Sequence, residues 1–112
     1  MLQFIYRIQP TRPEMLAEGP TAAEESAVGE HFAYLEKLTK SGIVLLAGRT
    51  LTSDALTFGI VVFAAESGVE AEKVVRRDPA VEKGVMKAEL FPFRVALLAQ
   101  GWTGSPQSQI KP

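Results

Sequence analysis

The stretch Ile43-Val44-Leu45-Leu46-Ala47-Gly48-Arg49-Thr50-Leu51-Thr52-Ser53-Asp54-Ala55-Leu56-Thr57-Phe58-Gly59-Ile60-Val61-Val62-Phe63-Ala64-Ala65 sets two apolar runs on either side of a polar turn. Residues 43–47 are a short apolar run ended by glycines, which reads as a strand covered on at least one face. Leu56 to Ala65 form a longer β-branched run, and Thr52-Ser53-Asp54-Ala55 supply the turn chemistry between the two. No helical segment separates these strands. They stand at the middle of the chain, and what flanks them on each side decides the architecture.

Upstream, Thr21-Ala22-Ala23-Glu24 has the form of a capping box, in which each side chain satisfies an orphan backbone N–H of the other residue. It predicts a helix from about Ala22 to Lys40, closed by Ser41-Gly42, with Gly29 costing about 1 kcal/mol inside it. Before it, Leu2 to Ile8 alternates apolar and polar residues as a strand does. Pro10 to Pro20 reads as a loop. Downstream, Ser67-Gly68-Val69-Glu70 reads as a second capping box, opening a short helix whose inward face is Ala71, Val74 and Val75. Asp78-Pro79 ends that helix, with a further helical turn to Gly84. A last strand, about Val85 to Leu98, contains Pro92, which points to a sheet edge or a bulge.

The order is therefore β-α-β-β-α-β. It predicts an α+β, ferredoxin-like domain over residues 1–98, a four-stranded antiparallel sheet with both helices on one face, followed by a C-terminal tail, 99–112. Apolar residues at adjacent strand positions, such as Val61-Val62-Phe63 and Leu45-Leu46, make both sheet faces hydrophobic. A homodimer through the open face, with Phe63 or its neighbours in contact, is the expected remedy.

Composition narrows the function classes. Of 112 residues 46% are apolar and 22% charged, and the net charge is −1, without the concentrated basic patch a nucleic-acid binder needs. No run approaches the roughly 20 apolar residues of a membrane span. The first nine residues do not form a signal peptide, so a cytoplasmic location is the expectation. Zero cysteines exclude thiol chemistry and thiolate metal sites, and no glycine-rich phosphate loop or cofactor box is present. Neither a cofactor nor a metal is called for.

Proton transfer near neutral pH then falls to the single histidine or to a carboxylate. At about 100° per residue His31 lies in the apolar stripe of its helix, between Leu35 and Leu38, with Val28 and Phe32 beside it. Lys37, Lys40, Glu30 and Glu36 fall on the opposite arc. Two readings of His31 stay open, a core histidine and a pocket histidine between helix and sheet. Asp78 is either a turn residue or, if it meets His31, the group that fixes its tautomer and raises its basicity. Tyr34, one turn from His31, and Arg49, at a strand end suited to anion recognition, are candidate substrate-binding residues. Glu24 lies on a similar bearing to His31, but its capping role already accounts for it.

The run His31-x-x-x-Leu35-x-x-Leu38-x-x-x-Gly42, leading into Leu45-Leu46-Ala47-Gly48, resembles the first helix and second strand of the YCII (YciI-like) family. Ser67-x-x-Glu70-Ala71, Asp78-Pro79, Gly84-Val85 and Pro92-Phe93 follow in the family's order. The resemblance implies a dimeric ferredoxin-like fold similar to that of muconolactone isomerase. It also implies an active site made of a His and an Asp, here His31 and Asp78. One member type acts as a dehydrochlorinase on a chlorinated hydroxyhydroquinone. Two departures stand out: Arg49 stands where members commonly carry a proline, and several members carry an arginine shortly before the histidine, where this chain has Glu24, Glu25 and Glu30 nearby. The expectation is a cofactor-independent lyase or isomerase on a small cyclic or enol-type substrate. The alternative is a small-ligand-binding dimer without chemistry.

Overall fold

The computed structural model describes residues 1–99. Its elements are β1 (Leu2–Pro10), α1 (Glu14–Ala17), α2 (Ala22–Lys40), β2 (Val44–Arg49), β3 (Gly59–Ala65), α3 (Gly68–Arg76), α4 (Pro79–Glu82) and β4 (Met86–Phe93). The four strands form one antiparallel sheet in the order β2-β3-β1-β4. This is the predicted ferredoxin-like arrangement, and Pro92 does sit on an edge strand. That strand is shorter than the sequence suggests, stopping at Phe93, and the tail from residue 100 on lies outside the described residues.

Register assigns the faces, because side chains alternate with a period of two. Phe4, Tyr6 and Ile8 of β1 stand opposite Phe63, Val61 and Gly59 of β3. With Val44, Leu35, Ala71 and Val75 these apolar side chains build the core beneath the helices. Phe63 is fully buried there, its ring 5.7 Å from that of Tyr6 at an edge-on 77°, a favoured aromatic geometry. The expectation that Phe63 itself faces a dimer partner is thus corrected. Ile5 and Val62 point the other way, together with Leu46, Phe91 and Phe93 from the neighbouring strands. Gly59 lets β3 lie close to the Ile8 side chain, which a Cβ there would meet at 3.1 Å and push aside by a few tenths of an ångström.

Other differences have local causes. Within the expected loop from Pro10 to Pro20, α1 forms a single turn that buries Met15. Leu56 to Phe58 belong to the turn rather than to β3, because Asp54 accepts the Leu56 N–H at 2.9 Å and holds the chain in a bend. Thr21 and Glu24 form the full reciprocal capping box. At Ser67 only the serine half is made, and Glu70 turns instead to Lys73 at 3.1 Å. Phe32, expected in the buried stripe, is 43% exposed.

Candidate functional site

Three elements each deliver one polar side chain to a point between α2 and the sheet. On α2 the buried positions are Ala27, His31 and Leu35, spaced one turn apart on the face that packs inward. Tyr6 occupies the middle of the inward face of β1. Asp78 precedes a proline, which pushes its backbone to the extended region (φ −62°, ψ 119°) and makes it the N-cap of α4, with Pro79 at the first helical position. Asp78 is therefore the turn residue that starts the helix, and it also directs its carboxylate into the protein interior.

There the carboxylate is fully buried and accepts from three donors. His31 Nδ1 lies 2.8 Å from Oδ1 and 2.7 Å from Oδ2. The Tyr6 hydroxyl donates to Oδ2 at 2.8 Å, and the Ala80 N–H to Oδ1 at 3.0 Å. Burial, followed by the charge and hydrogen bond of Asp78, pushes the Tyr6 phenol far above its ordinary range, so it keeps its proton and acts as a donor. A buried carboxylate needs such donors to offset its lost hydration. The acceptor opposite Nδ1 means the proton of the neutral imidazole sits on Nδ1, leaving the Nε2 lone pair unused.

Nε2 bonds to no described residue, and no polar side-chain atom among the described residues is both buried and unpartnered. The His31 side chain retains 11% of its exposure. Two surface hollows among the described residues, of about 250 and 220 Å³, lie elsewhere. One is lined by Glu72, Val75, Arg76, Ala88 and Leu90, the other by Gln9, Pro10, Pro13, Leu16, Asp54, Ala55 and Lys87. His31 thus presents a small exposed edge of its imidazole.

The remaining candidates make their hydrogen bonds outside this cluster. Tyr34 donates its hydroxyl to the Val74 carbonyl at 2.6 Å and so ties α2 to α3; burial and then the Asp78 charge push its phenol up to about 12. Arg49 ends β2 opposite Gly59 and donates to the Thr50 carbonyl at 3.2 Å. Tyr6 is the site residue that sequence reasoning did not single out. Its signal was an inward strand position between Phe4 and Ile8, where a buried hydroxyl requires an acceptor. Among the described residues no group of three or more His, Cys, Asp or Glu could hold a metal ion. No described helix is long and apolar enough to cross a membrane.

The fold has a counterpart among known proteins. A solved structure of 5-chloro-2-hydroxyhydroquinone dehydrochlorinase (TftG) from Burkholderia phenoliruptrix AC1100, in complex with 2,5-dihydroxybenzoquinone, is 26% identical in sequence with a TM-score of 0.60. The match covers 84% of this chain and 94% of the other. No curated protein sequence matches. The YCII-related domain matches residues 4–94, which take in the whole His31–Asp78–Tyr6 cluster and all of the sheet except the first two residues of β1, and the chain belongs to the YCII-related family.

Proposed function

We propose that this protein is a small cofactor-independent enzyme of lyase or isomerase type, in which His31 Nε2 moves a proton on a cyclic or enol-type substrate. One observation carries the reading: His31 gives Nδ1–H to a fully buried Asp78 and leaves Nε2 without a partner among the described residues. A base needs a free lone pair, a fixed tautomer and an anionic neighbour to stabilise the imidazolium once the proton arrives. Asp78 is saturated by its own donors and acts through His31. Arg49 and Tyr34 are proposed to hold the substrate, Arg49 through an anionic oxygen and Tyr34 through its ring, as its hydroxyl is committed to Val74.

The similar dehydrochlorinase supports a substrate of the hydroxyquinone class. Loss of HCl from such a ring is redox-neutral. The ring first shifts to its keto tautomer, a hydroxyl proton moving to the carbon that bears chlorine. Nε2 then takes a second hydroxyl proton, the O–H electrons form the new C=O, the adjacent ring double bond shifts to the chlorine-bearing carbon, and the C–Cl pair leaves as chloride. Chloride needs no protonation to depart, so one base suffices.

The test is incubation of the protein with chlorinated hydroxyhydroquinones and small enol lactones, following chloride release and deuterium uptake from D2O. The expected result is turnover that His31→Gln reduces by about 10²-fold or more. Binding without turnover of any compound would replace this reading with the non-catalytic one.

The open sheet face is proposed to bury itself against a second copy. Leu46, Phe91 and Phe93 are 46%, 47% and 41% exposed and share that face with Ile5 and Val62, an apolar patch that a monomer rarely presents. Light scattering at micromolar concentration should show a dimer, and Phe91→Lys should shift it to monomer. A monomeric wild type refutes the proposal.

A further inference from the structure

The Tyr6 hydroxyl does work that packing does not require. Its neighbours on the inward face of β1, Phe4 and Ile8, are wholly apolar, and its ring meets Phe63 edge-on as a phenylalanine ring would. Phenylalanine at this position would fill the same space and bury no polar atom. Asp78 would still hold the Ala80 N–H and the imidazole N–H. The hydroxyl is therefore a surplus donor placed on one particular buried charge.

We propose that Tyr6 is a positioning residue that moderates Asp78, taking up part of its negative charge and so weakening the hold of the carboxylate on the His31 imidazolium. This rests on the acid–base reading of His31. Three donors share the carboxylate, and only one of them, the imidazole, can respond by gaining a proton. When the Tyr6 donor is withdrawn, the charge falls more heavily on the other two, and the imidazolium gains stabilisation. A base that sits beside an unmoderated buried carboxylate would hold its proton too firmly to act.

The other titratable and charged groups on the elements around His31 do not compete for this role. Glu30 on α2 is paired with Lys83, just beyond α4. The Tyr34 hydroxyl is bonded to Val74. Glu82 on α4 and Arg77 before it are exposed, and Arg49 on β2 lies at the strand end. Tyr6 and Asp78 are the groups in direct line with the ring.

His31 is the only histidine, so its ring protons titrate unambiguously by NMR. In Tyr6→Phe, His31 should keep its second proton to a higher pH than in wild type, by about threefold or more in the protonation equilibrium. Asp78→Asn should move it the opposite way. An unchanged or downward midpoint in folded Tyr6→Phe overturns the proposal, since a hydroxyl that only supports packing would lower thermal stability and leave the titration in place. If Asp78→Asn moves nothing, the pair itself is uncoupled and the acid–base reading falls with it. Should Tyr6→Phe fail to fold, 3-fluorotyrosine incorporated in a Tyr34→Phe chain offers the reverse perturbation. A more acidic phenol is a stronger donor, so His31 should lose its proton at a lower pH, and no change overturns the proposal equally.

Discussion

At the start of α2, Glu24 accepts from Arg12 Nε at 2.9 Å and Nη2 at 2.7 Å, and from the Thr21 N–H at 2.8 Å. About two turns further along the same helix, His31 meets Asp78 at 2.7 Å. Both are ionisable pairs that anchor α2 to a distant piece of chain. The first lies near the surface and saturates itself, because the guanidinium forks onto both carboxylate oxygens and the remaining Arg12 contact goes to the Gly19 carbonyl. In the second pair the carboxylate is buried and fully used, yet one nitrogen is left over. A contact that only holds structure has no reason to leave an unused lone pair. The contrast separates an anchor from a candidate site more sharply than distance does.

The largest expected effect comes from emptying the buried pair. Asp78→Ala strips the partner from His31, Tyr6 and the Ala80 N–H at once, and should cost about 3–5 kcal/mol of stability by urea unfolding. A cost below about 1 kcal/mol would mean that the buried cluster is no more consequential than a surface pair, and the contrast with Arg12–Glu24 would collapse. Next comes His31→Gln, which should reduce turnover by about 10²-fold or more while costing stability only about 1–2 kcal/mol. Loss of both together in equal measure would make His31 another anchor. Thr21→Ala should then do the converse, removing about 1 kcal/mol through the lost cap with turnover unchanged.

This division explains which parts of the molecule were legible in the sequence. Strand order followed from the paired apolar runs at 43–47 and 56–65, the proline in β4 and the capping box at Thr21, all of which act through local backbone chemistry. His31 and Asp78 could be named because each is a rare residue at an informative place. Their meeting could not be read, since it depends on how α4 docks against α2, a matter of tertiary packing. Tyr6 was hidden for a related reason: at an inward strand position a tyrosine looks like any aromatic core residue until its acceptor is known. The facing of Phe63 was misjudged because an unbroken apolar run such as Val61-Val62-Phe63 carries no alternation to mark its inner side. Only pairing with β1, whose Gln3, Ile5 and Arg7 alternate with Phe4, Tyr6 and Ile8, sets it.

The smallest effect concerns pH at the surface anchor, and there the sign is definite. The hydrogen bonds from Arg12, followed by the one from the Thr21 N–H, hold the Glu24 carboxyl down at about 2, against an ordinary value of 4.5. A carboxylate whose folded value is depressed contributes stability above its unfolded value and loses it as the pH falls toward the folded one. Wild type should therefore exceed Glu24→Gln in stability at neutral pH by a margin that stays constant down to about pH 4.5 and shrinks steadily toward pH 2. Solvent and salt reach this pair, so the margin should also narrow with added salt. Paired urea titrations of the two chains between pH 7 and pH 2 measure it. A margin that survives undiminished at pH 2 would show that Glu24 acts through packing rather than charge. The self-saturated ionic anchor would then no longer be the right foil for the buried pair that leaves one nitrogen free.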